Sequence, residues 1–155
     1  MMEPDGLKEA ICEAVSQTME GMAFLEANPA TDGFQPEVDE KLYHIHIETN
    51  NPPIRALIMV FPQSLANHIT SFALGTEEEA PSIEVVRDTL AEVLNTVAGR
   101  FMSLLMPHDQ AFSLGLPQFR EHNHEILMEE ALPSSSRFDF EADGMYFSTI
   151  VVLSG

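Results

Sequence analysis

Residues Ser82–Leu105, SIEVVRDTLAEVLNTVAGRFMSLL, carry the clearest structural pattern in the chain. Its apolar residues recur at intervals of three and four, which predicts one long amphipathic helix. Ser82 is a favoured N-cap residue, Glu84 lies in the first turn, where the helix dipole favours negative charge, and Pro107 stops the helix. One side of this helix is predicted to face a core, and it comprises Ile83, Val86, Leu90, Leu94, Val97, Phe101 and Leu104.

The opposite side of the same helix has an unusual composition. At about 100° per residue, Asp88, Glu92, Asn95 and Gly99 form a narrow stripe. Asn is a poor helix former, and Gly costs about 1 kcal/mol relative to Ala in a helix interior. The stripe is therefore either a solvated face that tolerates weak helix formers or a surface that enters a partner's cleft. For the second reading, an amide can hold a water molecule, and an exposed Gly lets another backbone approach.

The first half of the chain predicts a helix, two strands and a short helix. An apolar stripe runs from Leu7 to about Ala27 and predicts the first helix. The apolar residues Tyr43, Ile45 and Ile47 alternate with His44 and His46, which predicts a strand with one buried face. The run Ile54–Phe61 predicts a central strand that is covered on both faces. A short helix follows, with Leu65, Ile69 and Phe72 facing inward and Gly75 as its cap.

The second half adds further strands after the long helix. The apolar residues Phe112, Leu114 and Leu116 alternate ahead of Pro117, and Asp143-Gly144 predicts a tight turn between the last two strands. This order of elements repeats that of the first half, and Gly21 and Gly99 take similar places in the two long helices. The chain is therefore compatible with two related halves.

Composition sets limits on the class of protein. The chain has 155 residues, so we expect residues 1–155 to form one α/β domain. Seven Lys and Arg against 25 Asp and Glu give a net charge of −18, which disfavours nucleic acid and anionic membranes as partners. The charge serves solubility or selects among protein partners. The sequence contains no membrane-spanning run and no secretory signal, so we expect a cytoplasmic protein.

Metal and thiol chemistry have little support in the sequence. His44 and His46 share one strand face and would chelate a metal only if a third ligand approached. The polar group Glu121, His122, His124 and Glu125 lacks a helical pair of histidines. No metal site is predicted. Cys12, the only cysteine, lies in an apolar helix pattern and is predicted to be a buried residue.

Two segments of the chain resemble a known family. Residues 88–99, DTLAEVLNTVAG, and 114–117, LGLP, are similar to the motif of the CheX branch of the CheC/CheX chemotaxis phosphatases. That motif has an acidic residue or Ser, then Glu one turn later, then Asn, and a Pro after an interval close to that between Asn95 and Pro117. The resemblance implies a CheC-like α/β sandwich, with two long helices packed on a mostly antiparallel sheet in two pseudo-symmetric halves.

The resemblance also implies an activity. Members of this type hydrolyse the aspartyl phosphate of a CheY-like response-regulator receiver, which itself supplies the phosphate, Mg²⁺ and a Lys. By similarity, Asn95 would orient the attacking water and Glu92 would pair with the receiver's Lys. Asp88 and Gly99 would contact the partner, and Pro117 would shape the end of a strand. No cofactor is expected to bind this chain itself.

The first helix does not repeat the Glu/Asn pair. If Gly21 is aligned with Gly99, Ala14 and Gln17 stand opposite Glu92 and Asn95. The neighbouring register places Glu13 and Ser16 there instead. The resemblance therefore implies one active face per chain, as in CheX, and a homodimer formed through the sheets. The rival hypothesis is a binding module that kept the fold and docks on a receiver without hydrolysing phosphate.

Overall fold

The computed structural model describes residues 4–31, 33–34, 40–75, 81–106, 111–122 and 134–153. These residues form helices α1 Pro4–Ala23, α2 Gln63–Leu74 and α3 Ile83–Leu105, and strands β1 Ala27–Pro29, β2 Leu42–Asn51, β3 Ile54–Pro62, β4 Gln118–His122, β5 Ser135–Ala142 and β6 Met145–Leu153. Among them, no helix combines the length and the apolar character that crossing a bilayer requires.

The six strands form one antiparallel sheet with the order β1-β5-β6-β3-β2-β4. This strand order has pseudo-two-fold symmetry about the central β3–β6 pair. A rotation that exchanges β3 with β6 also exchanges β2 with β5 and β1 with β4, and it relates α1 to α3. The short strand of each half pairs with the hairpin of the other half. The two halves are thus interlocked through the sheet.

The main core lies between the helices and one face of the sheet. The inward residues of α3 are Val86, Thr89, Leu90, Val93, Leu94, Val97, Ala98, Phe101 and Met102, and all are buried. Each fully buried Leu or Phe contributes roughly 1.5–3 kcal/mol, so this face fixes the rotation of the helix about its axis. A second, smaller cluster lies on the opposite face of the sheet and comprises Phe34, Leu42, Ala56, Ile58, Val60, Ile150 and Val152.

Several predicted elements form as expected. Helix α3 begins after Ser82 and ends at Leu105, although the Ser82 side chain makes no capping hydrogen bond. Strand β3 is central, and all its residues except Arg55 are buried. Gly75 caps α2 with a φ of 65°. The turn residues Asp143 and Gly144 have φ values of 53° and 78°, as a two-residue hairpin turn requires.

The first helix is shorter than predicted. It ends at Ala23, and Ala27–Pro29 forms β1, which pairs with β5. The helix stops because Phe24 takes a left-handed conformation with a φ of 56°. The prediction was wrong here because Phe24 and Leu25 continue the apolar pattern of the helix beyond its real end.

Burial also differs from the prediction at several positions. His44 is only 6% exposed, since the second cluster extends over its face of the sheet. Phe72, Ile83 and Leu104, predicted to face inward, are exposed because they lie in the terminal turns of their helices. Residues 111–117 form only an isolated bridge, between Leu114 and Thr49, and the strand of this region is β4.

Asp139 joins β5 and β6 to the residues before β2. Its carboxylate accepts hydrogen bonds from Arg137 Nε (2.8 Å), from the Phe34 backbone N–H (2.9 Å) and from the Ser148 hydroxyl. Arg137 also donates to the Phe34 carbonyl (2.6 Å). Partial burial opposes ionisation, but the hydrogen bonds and the charge of Arg137 outweigh it, so the pKa of Asp139 lies below its usual value.

We expect Asp139→Asn to lower the free energy of unfolding at pH 7 by about 1–3 kcal/mol, because hydrogen bonds to a charged acceptor are lost. Because the pKa of Asp139 is lower in the folded state, its ionised form stabilises the fold at pH values above the unfolded pKa of about 3.9, and this stabilisation is lost as the pH falls through the folded pKa. Urea unfolding at pH 7, 5 and 3 should therefore show that the difference in free energy of unfolding between wild type and variant becomes smallest at the lowest pH. Asp88→Asn, at an exposed site, is the control. A gap that is constant with pH would contradict the assignment.

Candidate functional site

The outer stripe of α3 is exposed as predicted. Asp88, Glu92 and Asn95 are exposed, and Gly99 is partly exposed. The buried face of α3 causes this arrangement, because side chains on the opposite side of a helix packed on a sheet can only point to solvent. Glu92 and Asn95 lie three residues apart, so their Cβ atoms are about 5–6 Å apart on one face.

The polar groups of this stripe are not engaged within the described part of the chain. No hydrogen bond or ion pair there involves the side chains of Asp88, Glu92 or Asn95. A carboxylate and a carboxamide that lack intramolecular partners keep their full hydrogen-bonding capacity for a partner or for water. The stripe can therefore offer two acceptor oxygens from Glu92 beside the donor and acceptor of Asn95.

Gly99 is not required by the packing of its own chain. A Cβ atom added at this position would meet no heavy atom within 4 Å, and its φ is not positive. Steric crowding within the chain therefore does not explain a residue that weakens the helix by about 1 kcal/mol. A glycine at this position leaves room for another molecule's backbone beside the stripe.

The pseudo-two-fold relation identifies the counterpart of the stripe on α1. The buried and exposed positions of the two helices match when Glu13 is aligned with Glu92 and Ser16 with Asn95. The alignment of Gly21 with Gly99 is therefore wrong by one residue, because it would place buried positions of one helix on exposed positions of the other. The first helix keeps the acidic residue and has a hydroxyl in place of the amide.

The outer face of α1 also differs from that of α3 in its hydrogen bonds. Gln17 donates a hydrogen bond to Glu13 (3.0 Å), and Arg100 donates one to Gln17 (3.3 Å). This chain of contacts links α1 to α3 and engages the carboxylate that corresponds to Glu92. The sequence did not reveal it, since Arg100 and Gln17 are distant in the chain. The two pseudo-equivalent faces thus differ in both composition and availability.

The segment with the LGLP motif is held at the end of β2. The Gly115 N–H donates to the Glu48 carbonyl (2.8 Å), and a Cβ at Gly115 would lie 3.5 Å from that oxygen. Pro117 directly precedes β4, so it stands before the start of a strand and not, as was expected, at the end of one, because residues 111–117 form only an isolated bridge. Leu116 is 87% exposed.

The histidine pair on β2 does not gain a third ligand from its neighbours in the sheet. His44 stands between Val60 and Arg120, and His46 stands between Ile58 and Gln118. Within the described ranges, no group of three or more His, Cys, Asp or Glu side chains is arranged to hold a metal ion. His124 and Glu125 lie outside the described residues, as does the side chain of His122.

Cys12 is partly buried in α1. Burial raises the pKa of its thiol, and the nearby charge of Lys8 only partly offsets this effect. The thiol is therefore mostly protonated at neutral pH and is a weak nucleophile.

Matches to the chain include a CheX family model and solved structures of CheX and CheC-like proteins. A family model described as chemotaxis phosphatase CheX matches residues 45–140. No curated protein matches the chain. Among solved structures, the chain is similar to the chemotaxis protein CheX from Vibrio vulnificus, with 17% identity, 96% of each chain covered and a TM-score of 0.74.

Two further structures show the same fold. A CheC-like superfamily protein from Shewanella sp. PV-4 has 16% identity and a TM-score of 0.74, with 99% of this chain and all of that chain covered. The CheX of Borrelia burgdorferi, solved in a complex with CheY, BeF3 and Mg²⁺, has 17% identity and a TM-score of 0.67, with 96% and 98% covered. These neighbours support the CheC-like fold predicted from the sequence.

We expect Gly99→Ala to raise the free energy of unfolding by about 0.5–1 kcal/mol, because Ala is the better helix former and the added methyl has open space. Urea unfolding followed by circular dichroism measures the change. Gly21→Ala is the matched control, since its surroundings in α1 are equally open. A loss of stability specific to Gly99→Ala would show that this glycine serves the chain's own packing.

Proposed function

The chain belongs to the CheX family of chemotaxis phosphatases, and from that premise we propose that it hydrolyses the aspartyl phosphate of a CheY-like response-regulator receiver. The observation that carries the proposal is the pair Glu92 and Asn95, which is exposed on α3 and has no partner within the described chain. A CheX of Borrelia burgdorferi forms a complex with CheY, which supports this choice of partner.

Asn95 is proposed to position the attacking water. Its carboxamide oxygen accepts a hydrogen bond from the water and so aims the water oxygen at phosphorus, on the side opposite the aspartyl oxygen. The new P–O bond forms as the bond to the aspartyl carboxylate breaks, and the products are inorganic phosphate and free aspartate. Phosphoryl transfer depends mainly on positioning and electrostatics, so one correctly placed amide is a sufficient contribution from this chain.

Glu92 is proposed to bind the receiver's Lys. A chain with a net charge of −18 repels the negatively charged phosphoryl group of the receiver, so docking needs a local attraction. A carboxylate three residues before Asn95 supplies it and fixes the register of the helix on the receiver. Asp88 adds negative charge one turn earlier, and Gly99 leaves room for the receiver's backbone.

The remaining features of the proposal follow from the family. The receiver brings Mg²⁺, and this chain binds no cofactor of its own. We propose a cytoplasmic homodimer that forms through the sheets. In the described sheet, β4 lies at one end and β1 at the other, and β4 is the longer of the two edge strands.

We expect Asn95→Ala to reduce the acceleration of receiver dephosphorylation about 10²-fold while leaving binding to the phosphorylated receiver within about twofold. Release of inorganic phosphate from a CheY-like receiver, phosphorylated with an acyl phosphate, measures the rate. Gln17→Ala is the matched control, because it removes an exposed carboxamide from α1. If the wild-type chain binds receivers but accelerates none of them, the non-catalytic binding module is the better description.

We expect Glu92→Gln to weaken receiver binding about 10-fold or more, because the amide has no negative charge for the receiver's Lys. Titration with the phosphorylated receiver at low and high salt should show most of the loss at low salt. Glu13→Gln, at the corresponding position of α1, should bind the receiver as the wild type does. Equal losses in the two variants would point to general charge rather than a specific pair.

A further inference from the structure

A groove lies at the junction of the α1 C-terminus, the α2 C-terminus and the β5–β6 turn. Its volume is about 400 Å³, and Phe24, Leu25 and Phe72 form its apolar part. The side chains of Phe24 and Phe72 are 76% and 42% exposed, whereas Leu25 is buried. None of its lining residues belongs to α3, so the groove lies on different elements from the stripe of Glu92 and Asn95. Neighbouring exposed aromatic side chains with polar residues around them are typical of interaction surfaces.

The rim of this groove is strongly acidic. Glu26, Glu141 and Asp143 line it together with Asn28, and no Lys or Arg is among the described residues that do. The Glu141 carboxylate accepts a hydrogen bond from the Gly144 N–H (2.7 Å), which places it at the turn. Such a surface attracts cations in two ways. The carboxylates attract positive charge directly, and the faces of the aromatic rings attract Lys and Arg side chains.

Contacts within the chain hold the groove in shape. The His68 ring packs edge-on against Phe72, with their centroids 4.4 Å apart. His68 Nε2 also lies 3.6 Å from a carboxylate oxygen of Asp143. One residue of α2 therefore contacts both an apolar and an acidic member of the lining.

Phe24 is a poor choice for stability at this position. It follows the last residue of α1 and has a φ of 56°, a conformation that suits Gly or Asn. Its side chain is mostly exposed, so packing within the chain does not compensate for the backbone strain. An exposed aromatic residue in a strained position is consistent with a role in binding.

We propose that this groove binds a segment of a partner protein that carries an aromatic or aliphatic residue flanked by Lys or Arg. The apolar residue enters between Phe24 and Phe72, and the cations pair with Glu26, Glu141 and Asp143. A second copy of this chain is a poor occupant of this groove, because its seven Lys and Arg lie at least 13 residues apart and no segment of it flanks an apolar residue with cations. The site is independent of receiver dephosphorylation, so either proposal can fail alone.

The first test uses phage-displayed random 12-residue peptides, panned against the whole protein and, in parallel, against Phe24→Gly. We expect the wild type alone to enrich peptides with an aromatic or aliphatic residue and at least two Lys or Arg. Equal enrichment on both proteins, or enrichment of acidic peptides, would overturn the proposal.

The second test measures the best enriched peptide by fluorescence anisotropy. Phe24→Gly and Glu26→Lys should each weaken binding at least 10-fold. Leu116→Ala and Glu9→Lys, which make comparable changes at exposed positions outside the groove, should change it less than twofold. Retained binding in Phe24→Gly would contradict the assignment. So would self-association of the wild type that Phe24→Gly abolishes, since the occupant would then be a second copy.

A stability measurement separates binding from folding. Glycine relieves the left-handed strain at position 24, so Phe24→Gly should keep or raise the melting temperature, by up to about 2–4 °C. Loss of peptide binding by a protein of undiminished stability cannot be attributed to unfolding. A melting temperature lowered by more than 5 °C would show that Phe24 is a packing residue and would count against the proposal.

Discussion

The pairing of β3 with β6 at the centre of the sheet determines where the other strands and the two long helices lie. It joins the two halves of the chain and buries aromatic residues against each other. The rings of Phe61 and Phe147 stack with centroids 5.2 Å apart, and Phe140 stacks on Phe147 at 5.3 Å. Because β1 and β4 then cross to the hairpin of the opposite half, neither half can complete its sheet alone. This constraint places α1 and α3 in equivalent positions on one face.

Equivalent positions do not imply equivalent surfaces. Burial fixes which residues of each helix face inward, so Glu13 and Glu92 occupy corresponding outward positions. The two faces then differ in what surrounds them. On α1 the carboxylate is bonded to Gln17, which in turn is bonded to Arg100, whereas on α3 Glu92 lies beside an amide and near a glycine. One fold thus presents polar side chains that are hydrogen-bonded to each other on α1 and polar side chains without a partner in the described chain on α3.

Local patterns were sufficient to predict much of this fold and the candidate stripe. Helix α3, strand β3 and the Asp143-Gly144 turn depend on periodicity or turn chemistry that neighbouring residues carry. The short edge strands β1 and β4 were not predicted, since their partners are distant in sequence. The end of α1 was missed because Phe24 continues an apolar pattern while its backbone breaks it. The groove and the bond between Arg100 and Gln17 required the tertiary structure, since each combines residues from separate elements.

Residues that weaken their own local structure are found at exposed positions with few internal contacts. Asn95 and Gly99 are weak helix formers on the open face of α3, and Phe24 is strained and exposed at the end of α1. If these residues stabilised the fold, contacts within the chain would offset their unfavourable backbone preferences, as the hydrogen bonds around Asp139 offset its partial burial. Gly99 has open space instead, and Asn95 has no side-chain hydrogen bond within the described chain. Natural sequences tend to depart from locally favourable choices at functional sites. Other molecules are therefore expected to supply the missing contacts, at the outer stripe of α3 and at the groove beside Phe24.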